Sequence, residues 1–300
     1  MGQELAQAFA VARLTFEEVD EALGQRLSRL MAEGPEADLT LTENAQPALM
    51  AVSVAVMRVL QEQGGLELSR AARFVAGHSL GEYAALCAAG ALTLADTARL
   101  LKQRGQAMQK AVPVGAGAMA ALLGAEPEQA QAIAAAAAAE SGEVCAVAND
   151  NASGQVVISG SATAVDRAIA LAAAQGLKRA VRLPVSAPFH CPLMAPAADA
   201  MAAALETVAL SAPVVPLVAN VTATAVQDPA LIRSLLVEQV TGMVRWRESV
   251  LYMKEQGVTS LVEAGSGKVL AGLTKRIDKG LSATSLNGPA DIETFLKTLS

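Results

Sequence analysis

Apolar and polar positions along this chain fall into blocks that switch between a helical period and the alternation of strands. Helical periodicity runs near residues 1–33 and 43–63, and the short apolar run Phe74-Val75-Ala76 then predicts a strand. A helix is expected at about 80–89 and another over 94–110, before Gly115-Ala116-Gly117 punctuates the chain. The next stretch predicts a strand at 118–123, a helix at 127–140, and strands at 143–148 and 155–159 around the turn Asn149-Asp150-Asn151-Ala152-Ser153-Gly154. A helix at 162–174 and a strand at 178–185 complete it. Beyond residue 187, helices are predicted near 192–206, 228–240, 246–256 and 268–279, with strands near 214–219 and 259–263.

This mixture defines an α/β fold class. The order β-α-β-β-α-β within 116–186 matches the ferredoxin-like split pattern. Residues 116–186 therefore read as a small subdomain inserted into a larger domain made of 1–115 and 187–300. The alanine run 134–139 suits a packed, high-propensity helix in that insert.

One helix carries an anomaly. At about 100° per residue, the 94–110 helix gathers Leu94, Thr97, Leu100, Leu101 and Met108 on one side, and Arg104 falls in the middle of that apolar arc. Arg99, Lys102, Gln103, Gln106 and Lys110 lie opposite. A guanidinium on a buried face is costly unless a carboxylate or phosphate meets it. That partner is either a carboxylate of the protein or one brought by a substrate.

Composition narrows the classes. A hydrophobic content of 53% over 300 residues supports a large core. The net charge of −6, without a long basic run, argues against a nucleic-acid surface. No apolar segment reaches the about 18 residues that span a bilayer, so no membrane association is expected. Cys87, Cys145 and Cys191 are widely spaced and form no C-x-x-C pair, which suits reduced thiols in a cytoplasmic protein.

Gly77-His78-Ser79-Leu80-Gly81 sits between the Phe74 strand and the next helix, where a G-x-S-x-G reads as a nucleophile elbow. In that reading the two glycines permit the sharp turn. Ser79 and Glu82 also spell a helix capping box, so an N-cap is the alternative. A nucleophilic serine needs a base, and the chain has two histidines. His78 shares the turn with Ser79 and is expected to point away. That leaves His190, in the proline-flanked loop Ser186-Ala187-Pro188-Phe189-His190-Cys191-Pro192, as the base or as a structural histidine. Gly265-Ser266-Gly267-Lys268 looks like a phosphate loop, but Val262 and Val269 replace its first glycine and its Ser/Thr, so a strand-to-helix turn is expected. Lys275, Arg276 and Lys279 read as a solvated helix face.

Several strings together resemble the malonyl-CoA:acyl carrier protein transacylase family. They are Gly77-His78-Ser79-Leu80-Gly81-Glu82-Tyr83, Arg104-Gly105-Gln106-Ala107-Met108-Gln109, Gly117-Ala118-Met119-Ala120-Ala121 and Ala148-Asn149-Asp150-Asn151. Pro184 to Met194 and Glu263-Ala264-Gly265-Ser266-Gly267-Lys268-Val269 extend the likeness over nearly the whole chain. The resemblance implies an α/β-hydrolase-like large domain with an inserted ferredoxin-like small subdomain. It implies Ser79 as the nucleophile, His190 as its base, Arg104 as the clamp on the malonyl carboxylate, and the Leu80 backbone N–H as an oxyanion donor. Gln239 matches the position whose carbonyl orients the histidine, Asn149 a supporting polar residue, and Phe189 the pattern associated with malonyl selection.

By the same resemblance the reaction transfers malonyl from malonyl-CoA to the phosphopantetheine thiol of acyl carrier protein. No bound cofactor or metal is implied, and the protein is expected to be a monomer in the cytoplasm. Lys275, Arg276 and Lys279 are then candidates for docking the acidic carrier protein. Family members begin with a strand and a Gly-Gln-Gly-x-Gln loop, whereas Met1-Gly2-Gln3-Glu4-Leu5-Ala6 resembles the segment just after it. The reading therefore expects the oxyanion glutamine of that loop to be absent, through a late start or as a truncated member of low activity. A serine esterase or thioesterase is the rival enzyme, since it shares elbow and base but has no use for Arg104.

Overall fold

The computed structural model describes residues 1–177 and 179–298. Its strands form three sheets. In the first, β1 (Val75–Ala76) pairs in parallel with β6 (Leu217–Val218), which pairs antiparallel with β7 (Ala225–Val226). The second holds β2 (Gly117–Leu123), β3 (Cys145–Ala152), β4 (Gln155–Ser161) and β5 (Arg179–Arg182) in the order β3-β4-β2-β5, all antiparallel. In the third, β8 (Ser260–Ala264) lies parallel to β9 (Ser282–Leu286).

Each region has its own apolar core. The largest is built around the Thr42–Gly64 helix, whose Met50, Val52, Val56, Val59 and Leu60 meet Leu100, Leu101 and Met108 of the Leu94–Lys110 helix. These two helices approach closely because residue 105 is glycine. A Cβ there would stand 2.5 Å from the Glu43 Cα, inside any normal contact. The second core lies between the four-stranded sheet and the helices Pro127–Ser141 and Ala162–Ala174, with Leu122, Ile133, Ile158 and Val165 fully buried. A third core joins the two regions, packing Ala152 at the end of β3 against Val244, Trp246 and Val250.

The predicted elements of 116–186 are present, with one instructive change. Strand β3 was expected to stop at 148, yet it continues to Ala152 and leaves only Ser153-Gly154 as the turn. Tertiary pairing overrides the Asn-Asp-Asn turn signal. Ala148 O accepts the Val244 N–H at 2.9 Å, the Asp150 N–H donates to Val244 O at 3.0 Å, and the Asp150 carboxylate takes Arg247. The last strand of this region was expected over 178–185; it spans Arg179–Arg182, and Lys178 lies outside the described residues.

Elsewhere the expected 192–206 helix begins with a 3-10 turn at Pro192–Met194 and continues as Ala195–Glu206. The 214–219 strand shortens to Leu217–Val218. Strands β7 and β9 and the Pro289–Leu296 helix were not anticipated. Among the described residues, no helix is long and apolar enough to cross a membrane.

Candidate active site

Strand β1 leads straight into the turn Gly77–Gly81, and the helix Gly81–Ala88 starts at its end. The residue that takes the left-handed conformation is the serine, with φ 53° at Ser79. For a non-glycine residue this costs about 1–2 kcal/mol, so surrounding contacts must hold it there. The two glycines are not equivalent, contrary to the expectation from sequence. A Cβ on Gly77 would lie 2.0 Å from Gly81 C and O, whereas a Cβ on Gly81 would meet nothing within 4 Å. Only Gly77 is required by packing. The capping-box reading also fails, because neither the Ser79 nor the Glu82 side chain caps this helix. Both side chains bond elsewhere.

Ser79 Oγ is 2.8 Å from His190 Nε2, and His190 Nδ1 is 2.8 Å from the carbonyl oxygen of Gln239. A carbonyl can only accept, so Nδ1 carries the hydrogen and Nε2 presents a lone pair to the serine hydroxyl. His190 is also left-handed, at φ 56°, in a loop pinned by the Cys191 thiol on Pro188 O at 3.1 Å. Gly117 makes room for this loop, since a Cβ there would stand 2.3 Å from the Pro188 ring. Burial, reinforced by the Arg104 charge, pushes His190 down to about 3. At neutral pH the imidazole is therefore an uncharged base.

Arg104 is 1% exposed, on the buried arc of its helix as the periodicity predicts. Its Nη1 donates to Gln46 Oε1 at 2.8 Å, and its Nη2 donates to Gln239 Oε1 at 2.7 Å and to Ser79 Oγ at 3.0 Å. All three acceptors are neutral. The Tyr83 ring lies 5.7 Å from the guanidinium carbon, and burial pushes its phenol up to about 12. Glu82, also 1% exposed, contributes through-space attraction to Arg104 without forming an ion pair. Its carboxyl accepts the Asn220 N–H and a Gln239 Nε2 hydrogen, and burial pushes it up to about 8. Burial thus favours the neutral acid at Glu82, and Arg104 remains a desolvated cation whose direct hydrogen-bond acceptors are all neutral.

The amides of the elbow are equally specific. Ser79 N–H donates to Asn220 Oδ1 at 2.8 Å and Gly81 N–H to His78 O at 2.9 Å. Among the described residues, the Leu80 N–H donates to no protein group. It is unbonded at the residue directly after Ser79, as an oxyanion donor requires.

Of the residues singled out from sequence, Ser79, Arg104, His190 and Gln239 come together in one bonded network, and Leu80 follows Ser79 in the chain with its N–H unbonded. His78 points away as expected: its Nε2 bonds Asn151 Oδ1 at 2.8 Å and its ring meets Trp246 at 5.8 Å. Phe189 is partly buried against two cores. Asn149 is buried and bridges to Val244 through its backbone, outside the side-chain network of the site. Sequence reasoning missed Gln46, Asn220 and the true role of Glu82. Asn220 had a signal, as a polar residue just beyond the C-terminal end of a strand. Gln46 had none beyond its place in a mainly apolar helix.

Two other motifs resolve plainly. The Glu263 carboxylate accepts the Leu270 and Ala271 N–H groups at 3.1 and 2.8 Å, so an acid occupies the helix start where a phosphate loop would place its anion. Lys275, Arg276 and Lys279 are exposed. Among the described residues, no cluster of three or more His, Cys, Asp or Glu is placed to hold a metal.

A left-handed serine bonded to a histidine, with an unbonded amide at the next residue, is the arrangement that serine acyl-transfer chemistry requires. Residues 1–284 match the acyl transferase domain family. The chain is 46% identical over 294 residues to the malonyl CoA-acyl carrier protein transacylase of Escherichia coli (strain K12), covering 98% of this chain and 93% of that one. The crystal structure of the acyl-carrier-protein-S-malonyltransferase from Bartonella henselae superposes with a TM-score of 0.96 at 55% identity, covering 100% of this chain and 94% of that one. A holo complex of a type II PKS acyl-carrier protein with its malonyl-transacylase, PlMCAT:AntF, gives 0.95 at 44% identity over 99% of this chain and 94% of that one. The chain belongs to the malonyl CoA-acyl carrier protein transacylase family of acyl transferases.

Proposed function

We propose that this protein moves a malonyl group from malonyl-CoA to the phosphopantetheine thiol of acyl carrier protein through a malonyl ester on Ser79. His190 Nε2 takes the Ser79 proton as Oγ attacks the thioester carbon, and the Leu80 N–H holds the resulting oxyanion. Collapse breaks the C–S bond, and the histidine returns its proton to the CoA sulfur. The carrier thiol then attacks the ester, giving its proton to His190, which passes it back to the departing Ser79 oxygen. Gln239 keeps the imidazole in the required tautomer through its carbonyl. Arg104 binds the free malonyl carboxylate by its planar fork, while Phe189 favours malonyl over methylmalonyl and Asn149 supports the site. Lys275, Arg276 and Lys279 offer a positive rim to an acidic carrier.

In this reading residues 1–115 and 187–300 form an α/β-hydrolase-like domain, supported by the strand-elbow-helix order at Ser79. Residues 116–186 form a ferredoxin-like subdomain, supported by the strand order β3-β4-β2-β5. Free thiols at Cys87, Cys145 and Cys191 suit a cytoplasmic setting.

The observation that carries the proposal is Arg104, a buried cation with only neutral partners, 3.0 Å from the nucleophile. An esterase for uncharged acyl groups gains nothing from that arrangement. The test compares acylation of Ser79 by malonyl-CoA and acetyl-CoA, followed by peptide mass, in the wild type and in Arg104→Ala. The variant is expected to lose malonyl acylation by about 10²-fold or more while keeping or gaining acetyl acylation. An equal fractional loss on both donors would make Arg104 structural and the malonyl reading wrong.

A further inference from the structure

Asn220 is fully buried and every polar group it possesses is engaged. Its Oδ1 accepts the Ser79 N–H at 2.8 Å and its Nδ2 donates to Gly77 O at 2.8 Å. Its backbone N–H donates to Glu82 Oε1 at 2.5 Å, and its carbonyl accepts the Arg245 N–H at 2.9 Å. One planar amide thus bridges the first and third residues of the elbow, across the position of His78.

The sheet explains how a residue 141 positions away reaches the turn. Val218 of β6 is the parallel partner of Ala76 in β1, so both chains leave the sheet at the same level. Gly77 follows one strand end directly, and Asn220 stands two residues beyond the other. The hairpin that presents it is held by Ala223 N–H on Ala219 O at 2.8 Å and Ala219 N–H on Thr224 O at 3.1 Å, with Ala223 itself left-handed at φ 54°. A rigid, fully bonded donor-acceptor pair is placed against the one backbone conformation in the elbow that needs external support.

We propose that Asn220 is a positioning residue for acyl transfer: its side chain holds Ser79 in the left-handed conformation and occupies the Ser79 N–H, so that of the Ser79, Leu80 and Gly81 amides the Leu80 N–H is the one left for the oxyanion. The inference rests on Ser79 being the nucleophile. Asparagine suits the task because its amide offers an acceptor and a donor side by side in one plane. An aspartate there has the same shape, accepts from Ser79 when ionised, and cannot donate to Gly77 O. Once protonated it supplies both functions again.

The test measures single-turnover acylation of Ser79 by malonyl-CoA, and in parallel its labelling by a fluorophosphonate, which reports an activated serine whatever the acyl donor. Wild type, Asn220→Ala and Asn220→Asp are compared across about pH 8 to about pH 5, with thermal melts at each pH. Each rate is taken as a ratio to wild type, which removes the titrations of Glu82, His78, His190 and the thioester donor that both proteins share. Asn220→Asp is expected to be about 10²-fold slow at the alkaline end and to recover as its buried carboxyl protonates. The malonyl-CoA concentration giving half-maximal rate should stay near wild type, because Arg104 is untouched. Asn220→Ala should be slow at every pH; where it fails to fold, Asn220→Asp carries the test.

A structural role alone would lower the melting temperature and leave the ratio independent of pH. A folded Asn220→Asp within about threefold of wild type at the alkaline end, or one whose deficit does not change with pH, overturns the proposal. Loss of malonyl acylation in the wild type with fluorophosphonate labelling retained would overturn the malonyl reading, and the Asn220 inference is then decided by the labelling ratios.

Discussion

Two of the protein's arginines bond to buried polar groups, and their clusters are built on opposite principles. On strand β3 of the four-stranded sheet, Asp150 is 1% exposed and accepts Arg247 through both carboxylate oxygens, at 3.1 and 2.9 Å. Burial raises the Asp150 carboxyl and Arg247 opposes that rise, so the charge is answered within the fold. Arg104 is equally buried, yet it bonds only Gln46, Gln239 and Ser79 oxygens. The first cluster joins β3 to the helix Trp246–Glu255 and is complete by itself. The second keeps a desolvated cation beside the Ser79 hydroxyl. A buried charge paired with its countercharge holds a fold together; under the proposed function, the one without it is kept for the substrate carboxylate.

The sharpest way to break this contrast is to keep the Arg104 charge and remove its fork. Arg104→Lys should lower malonyl acylation of Ser79 by about 10²-fold, since a point charge cannot replace a bidentate clamp, with little loss of thermal stability. Undiminished malonyl acylation in a folded Arg104→Lys would show that charge alone suffices.

The reciprocal change is Arg247→Ala. It leaves Asp150 buried without a partner and should cost roughly 2 kcal/mol in denaturant unfolding, below the full penalty for a buried pair because Arg247 is itself 26% exposed. The malonyl-to-acetyl preference should not move. A changed preference with unchanged stability would reverse the roles assigned to the two clusters.

The smallest effect is in pH. Because His190 is held down to about 3, the wild-type acylation profile in kcat/KM should show no loss of the base across the ordinary histidine range near 6.5. For stability, Glu82 acts in the other direction. Its carboxyl is raised to about 8, so between its ordinary value near 4.5 and about 8 the native state binds more protons than the unfolded chain. Its contribution is present below that window and is lost as pH rises through it. Glu82→Gln should flatten that slope in urea melts recorded across the window. An unchanged slope would assign the titration to another group.

Much of the site was legible from local patterns. Gly77-His78-Ser79-Leu80-Gly81 marked the elbow because strand, turn and helix follow one another within a dozen residues. The helical period placed Arg104 on the buried face because burial of an apolar stripe fixes which side faces inward. Elimination left His190 as the candidate base because only one other histidine exists, and that one points to Asn151. What the sequence could not supply is the set of long-range bonds. Asn220 and Gln239 reach Ser79 across 141 and 160 positions, Gln46 meets Arg104 from another helix, and β3 continues through an Asn-Asp-Asn turn signal because Val244 and Arg247 answer it. Periodicity and turn chemistry act between neighbours in the chain, so the sequence alone determined most of the elements and the candidate reacting groups. The left-handed conformation of Ser79, the tautomer of His190 and the neutral surroundings of Arg104 depend on partners that only the packing of distant segments brings within hydrogen-bonding distance, and the tertiary structure decided them.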